Sequence, residues 1–223
     1  MHLFLTDRLA CPRCGPDFGL ILFADLVQDQ RVLDGRLGCP NCREQYPLKD
    51  GFGDLRISPR PPLEAPDPGG GDGPTDPEET LRLAASLGVT SGPGTILLQG
   101  PVSRYAGALA GLVGGIEVVA MDPGGMGREE AEGVSRMVAT TGIPFFSGSF
   151  RGVMISGGVR ERDLDEAARV VAPRSRVVVL DGFQGAGEYL KALGLQVLLD
   201  KDGVLVAQSN QADAQPLITL RGS

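Results

Sequence analysis

The chain has no tryptophan and a single histidine, His2, so no histidine general base is available in its interior. It also lacks any excess of positive charge: 21 Lys and Arg stand against 28 Asp and Glu, for a net charge of −7. Sequence-independent affinity for nucleic acid comes from Lys and Arg neutralising phosphates, so a general nucleic-acid binder is excluded and any tRNA contact would have to be local. No apolar run reaches the roughly 18 residues of a membrane-spanning helix. No basic segment is followed by an apolar stretch and a cleavage signal, and a cytoplasmic protein is expected. The glycine-rich "GLVGGI" is no phosphate loop, because no Lys followed by Ser or Thr accompanies it. Cysteine is scarce as well, but its four copies all fall within the first 42 residues of 223. The 42% of hydrophobic residues suffice for one average domain plus a small one.

The cysteines stand as "CPRC" (Cys11, Cys14) and "CPNC" (Cys39, Cys42), and a CxxC pair repeated after 24 residues is metal-site spacing. Pro12 and Pro40 stiffen each turn, so two thiolates from each knuckle can meet at one tetrahedral ion. Four such ligands close the shell against water, which makes the site structural rather than catalytic. Zinc suits it best, iron would accept the same ligands, and the other reading of the spacing is two disulfides or four free thiols. Between the knuckles, loose alternation of apolar and polar residues predicts short antiparallel strands, with Asp34-Gly35 as the hairpin dipeptide.

After the second knuckle comes "REQYPLKDGFGDLR". From Leu9 to about Leu55, the two knuckles followed by Y-P-L-x-D-G-x-x-D-L resemble the small zinc-ribbon family that activates tRNA and protein methyltransferases. Tyr46, Pro47, Asp50 and Gly51 match, and Gly53 replaces a usual proline. The resemblance implies a non-enzymatic binding module that lies against a methyltransferase sheet beside its third strand. With only 21 residues between Asp122 and Pro144, that third strand is short. The ribbon is expected to cover its edge, within one chain or by exchange between two.

The stretch "SPRPPLEAPDPGGGDGPTDPEE" reads as a linker. Asp76, Pro77 and Glu79 then supply an N-cap, a first-turn proline and a capping-box acid. From Thr95 onward, β-branched runs ("TILLQG", "IEVVAMD", "SRMVAT", "GVMISGG", "RVVVLDG", "LQVLLD", "VLVAQS") alternate with helical patterns. Such β-α-β order implies a mostly parallel sheet covered by helices on both faces. Lys201 to Gly203 joins the last two strands as an antiparallel hairpin.

Residues 81–209 resemble a class I S-adenosylmethionine-dependent methyltransferase, through "VVAMDP", "IPFFSGSFRGVMISGGV", "LDEAARVVAPRSRVVVLDG" and the terminal hairpin. The expected organisation is a zinc ribbon over 1–57, a linker over 58–77, a Rossmann-like methyltransferase domain over 78–210 and a tail over 211–223. The resemblance makes Asp122 the acid that bonds the cofactor ribose; read from the residues alone, Asp122 equally caps the turn at Pro123. The family's acid and G-x-G-x-G loop at strand one fall on Leu97, Gln99, Pro101 and Ser103, with Gly100 between glycine positions. Pro101 has no N–H and a fixed φ, so it removes a donor and stiffens the loop. Thr140 stands for the acid after strand three, Arg151 for the Asp of S-F-D, and "SGG" (156–158) carries no acid, aromatic or histidine. Tyr105 reads as packing, and Glu129, Glu130 and Glu132 as a solvated helix face. Asp181 to Gly187 lies where the family contacts substrate, without specifying one.

Asp122 and Gly100 are therefore the remaining cofactor-binding candidates, with no catalytic residue assigned. The expectation is a catalytically degenerate scaffold or regulatory subunit that holds structural zinc, does not bind S-adenosylmethionine, and associates with a protein partner or with itself through the sheet edge. The alternative is an active methyltransferase on a small molecule, tRNA or protein.

Overall fold

The structure is a computed structural model, and it describes residues 1–63, 75–125 and 131–210. The ribbon begins with a short helix α1 (Leu3–Thr6) and continues through β1 (Ala10–Cys11), β2 (Gly15–Gly19), β3 (Ile21–Gln28), β4 (Arg31–Gly38), β5 (Gln45–Lys49) and β6 (Phe52–Asp54). After the linker come α2 (Pro77–Leu87), β7 (Gly94–Gln99), α3 (Ala106–Leu112), β8 (Ile116–Met121), β9 (Val134–Val138) and β10 (Phe150–Ile155). The chain ends in α4 (Glu161–Val170), β11 (Val171–Leu180), α5 (Ala186–Ala192), β12 (Leu195–Lys201) and β13 (Val204–Ser209).

Local chemistry accounts for the boundaries. Asp76 caps α2 by accepting from Glu78 N at 2.9 Å, Pro77 occupies the first turn, and Gly88 closes the helix in the left-handed region (φ 67°). Glu79 does not complete a capping box; its carboxylate pairs with Arg82 at 3.4 Å. The β12–β13 hairpin turns at Asp202-Gly203, both at positive φ, as expected of a two-residue loop. The ribbon hairpin departs from expectation. Asp34-Gly35 lies inside β4, and the chain turns at Asp29-Gln30, with φ of 47° and 62°. Gly35 instead faces an irregularity in β3, where an added Cβ would fall on the Phe23 carbonyl, so glycine serves close strand approach rather than a turn. Glu132 sits in a turn, not on a helix, whereas Glu129 and Glu130 lie outside the described residues, as do the tail 211–223 and most of the linker.

Strands from both halves form one eleven-stranded sheet in the order β12-β13-β11-β10-β7-β8-β9-β6-β5-β4-β3. Its central strands β7 to β11 are parallel, and their runs are buried on both faces, as parallel sheets require. β13 is antiparallel to β11. The ribbon joins through β6, which pairs parallel to β9 with Gly53 opposite Met137 and Asp54 opposite Val138, and Leu55 N donates to Val138 O at 2.8 Å. The edge expected to serve self-association is thus filled by this chain's own ribbon. The outer edges are β3, irregular around Ala24 and Leu26, and β12, irregular between Val197 and Leu199.

Two cores flank the sheet. On one side Leu83, Leu87 and Leu109 of α2 and α3 cover Ile96, Leu98 and Val118. On the other, Leu164 and Ala167 of α4 cover Leu97, Val119 and Phe150, and the same cluster runs on into Leu9, Leu37, Tyr46 and Leu55 of the ribbon. Further bonds cross the seam: Ala10 N donates to Pro144 O (3.0 Å), Phe146 N to Arg8 O (3.0 Å), and Arg31 pairs with Glu117 at 3.3 Å. Glu117 also accepts from Ser135 Oγ at 2.6 Å. The start of the linker is held as well, since Ser58 Oγ and Arg60 both donate to Glu44 and Arg56 donates to Pro61 O.

The Arg31–Glu117 pair is mostly buried, so Arg31→Ala leaves a carboxylate without its cation and should destabilise the protein by roughly 2 kcal/mol, lowering its melting temperature. Lys191→Ala, which removes the exposed pair with Glu188, should leave the melting temperature unchanged. Equal shifts in the two variants would show that the seam does not depend on this pair.

Candidate functional site

The four cysteines do meet. Their Sγ atoms all lie within 4.8 Å of one another, with Cys11 to Cys42 at 3.7 Å and Cys14 to Cys39 at 3.8 Å. Thiolates held at about 2.3 Å around a tetrahedral zinc stand about 3.8 Å apart, and a disulfide would need about 2.05 Å, so the set fits a metal and not two bridges. The knuckles are shaped by their backbones: Cys14 is followed by Gly15 at φ 92°, Cys42 by Arg43 at φ 62°, and Arg43 N donates to Cys39 O at 3.0 Å. Cys11 and Cys39 are buried, whereas Cys14 and Cys42 are half-buried.

The surroundings treat the thiols unequally. Burial raises the Cys11 thiol, but Tyr46 Oη at 3.4 Å and the Cys14 and Arg13 amides outweigh it and bring the group down to about 7. Burial dominates at Cys42, pushed up to about 12, and also raises Cys39. Tyr46 is itself raised above the usual phenol range by burial and by its bond to Cys11, and the Arg60 guanidinium covers its ring at 5.3 Å.

The second region is the crevice between the C-terminal ends of β7 and β10, where the strand order reverses and open α/β sheets place their ligands. Here the loop after β7 spends its donors internally. Gly100 N donates to Met121 O (3.0 Å), Val102 N to Ser156 Oγ (2.9 Å) and Ser103 N to Gly100 O (2.9 Å). A Cβ on Gly100 would fall on the Ser156 carbonyl, and one on Gly157 would lie 2.6 Å from Pro101 Cδ. These glycines therefore let the β7 and β10 loops close on each other. Asp122 accepts from Ser103 Oγ at 3.2 Å and from Gly124 N at 3.1 Å, which caps the turn after β8. Gln99 Oε1 is buried and has no partner among the described residues.

The remaining candidates scatter. Leu97 is fully buried in the core, Thr140 is exposed, and Tyr105 packs beneath α3. Arg151 holds Ser91 O (2.9 Å) and Pro93 O (2.7 Å) at the N-terminal end of the sheet, away from the crevice. His2 caps α1, its Nδ1 accepting from Phe4 N at 3.3 Å. Ser156 was not anticipated as a loop partner, because a serine in "SGG" gives no sign in sequence of reaching a distant amide.

No protein-family model matches the sequence, and no curated protein matches it either. Among solved structures, the chain is similar to the tRNA (m1A58) methyltransferase TrmI of Aquifex aeolicus at 12% identity, over 62% of this chain and 70% of that one, with a TM-score of 0.48. It is similar to the antibiotic-resistance methyltransferase Kmr at 13% identity, over 60% of this chain and 93% of that one, with a TM-score of 0.45. A chain from the complex of the Haloferax volcanii Trm112 methyltransferase activator matches at 13% identity, over 60% of this chain and 95% of that one, with a TM-score of 0.45. The strand order itself defines the fold. Counting β7 to β13 as seven strands, the sheet runs three-two-one-four-five-seven-six with an antiparallel terminal hairpin, the Rossmann-like class I methyltransferase fold. It carries a four-cysteine ribbon on its third strand within the same chain.

Elemental analysis should find one metal ion per chain. Because binding displaces thiol protons, affinity should fall steeply as pH drops from about 7 to about 5, with release followed by a chromogenic chelator. Release independent of pH, or a protein without stoichiometric metal, would count against the four-cysteine centre.

Proposed function

We propose that this chain is a catalytically degenerate methyltransferase-fold protein that acts as a binding scaffold, with structural zinc in its Cys11, Cys14, Cys39 and Cys42 centre. The observation that carries this reading is the direction of the bonds after β7, where the amides of Gly100, Val102 and Ser103 turn to Met121, Ser156 and the loop itself. S-adenosylmethionine needs free backbone donors at that place and an acid at the end of the first strand, where Leu97 stands. Losing two hydrogen bonds to charged groups, at about 1.5 to 3 kcal/mol each, weakens binding about a hundredfold or more.

In the resembled activator family the ribbon supports a separate methyltransferase, whereas here the supported sheet belongs to the same chain. The scaffold reading follows: the ribbon holds its own α/β unit in shape, and the joined surface is offered to a protein partner. Retention of Asp122 at the end of β8 is the observation on the side of an active enzyme.

Calorimetry decides between them. Neither S-adenosylmethionine nor its demethylated product should bind with a dissociation constant below about 1 mM, and neither should shift the melting temperature. Micromolar binding that Asp122→Ala abolishes would establish the active-enzyme reading instead.

A further inference from the structure

A free zinc ribbon depends on its ion to bring its knuckles together, but this ribbon has a second frame. β1 is tied to the segment before β10 by Ala10 N to Pro144 O, and Thr141 Oγ1 donates to Pro12 O at 3.1 Å within the first knuckle. The second knuckle is held by Arg43 N to Cys39 O and Cys39 N to Glu44 O, while Glu44 is fixed by Arg13, Arg60 and Ser58. The core from Leu9 to Leu55 continues into the α/β unit. None of these contacts involves a metal, so each remains available to hold the knuckles together when the ion leaves. Two sulfur pairs that face each other across the knuckles stand in contact, Cys11 with Cys42 at 3.7 Å and Cys14 with Cys39 at 3.8 Å, and each joins one buried thiol to one half-buried one.

We propose that the four-cysteine centre is a redox-convertible clamp: hydrogen peroxide turns it into two cross-knuckle disulfides, Cys11–Cys42 and Cys14–Cys39, which expel the metal and keep the ribbon docked on β9. In each pair one thiolate attacks a peroxide oxygen and breaks the O–O bond, forming a sulfenic acid and a hydroxide that solvent protonates. The facing thiolate then attacks the sulfenic sulfur, forming the S–S bond and displacing a second hydroxide, also protonated to water. One peroxide takes two electrons from each pair, so two peroxides leave four waters, two disulfides and one free divalent ion. This conversion goes beyond the scaffold reading and does not depend on it.

The test uses the intact metal-loaded protein, with peroxide titrated against metal release and dithiothreitol added afterwards. Trypsin cuts between Cys11 and Cys14 at Arg13 but leaves Cys39 and Cys42 together in the peptide 37–43. Cross-knuckle bridges therefore join three peptides, whereas within-knuckle bridges leave 37–43 unlinked; fragmentation of the joined species assigns the partners. The expected result is full metal release at two equivalents, a mass loss of four hydrogens, the three-peptide product with the stated pairing, and one cooperative melt before and after. Dithiothreitol with added zinc should restore the starting species. Metal retained under excess peroxide, bridges within each knuckle, sulfinic acids in place of bridges, or a melt that splits in two on oxidation would each overturn the proposal.

Discussion

The parallel pairing of β6 with β9 is the contact on which the rest of the molecule depends. An α/β sheet ending at a short third strand leaves one row of backbone groups without partners, and a small ribbon has too little core to stand alone. Here each deficiency answers the other. β6 closes the row, and the core that begins at Leu97 and Val119 continues without a break through Leu55 to Tyr46. Burial of Tyr46 in turn sets the surroundings of Cys11, so the metal centre and the sheet are parts of one packing problem.

In the crevice at the C-terminal end of β7, the connecting loop bonds to its own neighbours. Pro101 cannot donate, and Ser156 takes the amide of Val102, so the loop forms a 3-10 turn from Pro101 to Tyr105 rather than a rim of open donors. Gly100, which looks in sequence like a remnant of a ligand loop, is fixed by the closeness of the Ser156 carbonyl.

What could be read from sequence followed from periodicity and spacing. Repeated β-branched runs specified the parallel strands, and two CxxC motifs specified the four-cysteine centre. Asp202-Gly203 was legible because a two-residue turn at positive φ favours that pair. Asp34-Gly35 misled because glycine serves equally well where two strands approach closely, and only the pairing partner distinguishes the cases. That Leu97, Gln99, Pro101 and Ser103 stand where the resembled family has an acid and three glycines was visible residue by residue. The internal bonds of that loop were not, since they depend on Ser156 and Met121, far away along the chain.

The irregularities at the two ends of the sheet carry a consequence for the molecule in a crowded solution. Eleven strands in a row would invite a neighbouring copy to add its own strand and begin a filament. β3 departs from regular pairing at Ala24 and Leu26, and β12 at Val197 before it ends in Asp200 and Lys201. A broken ladder at one end and charged, irregular backbone at the other offer an incoming strand no continuous template.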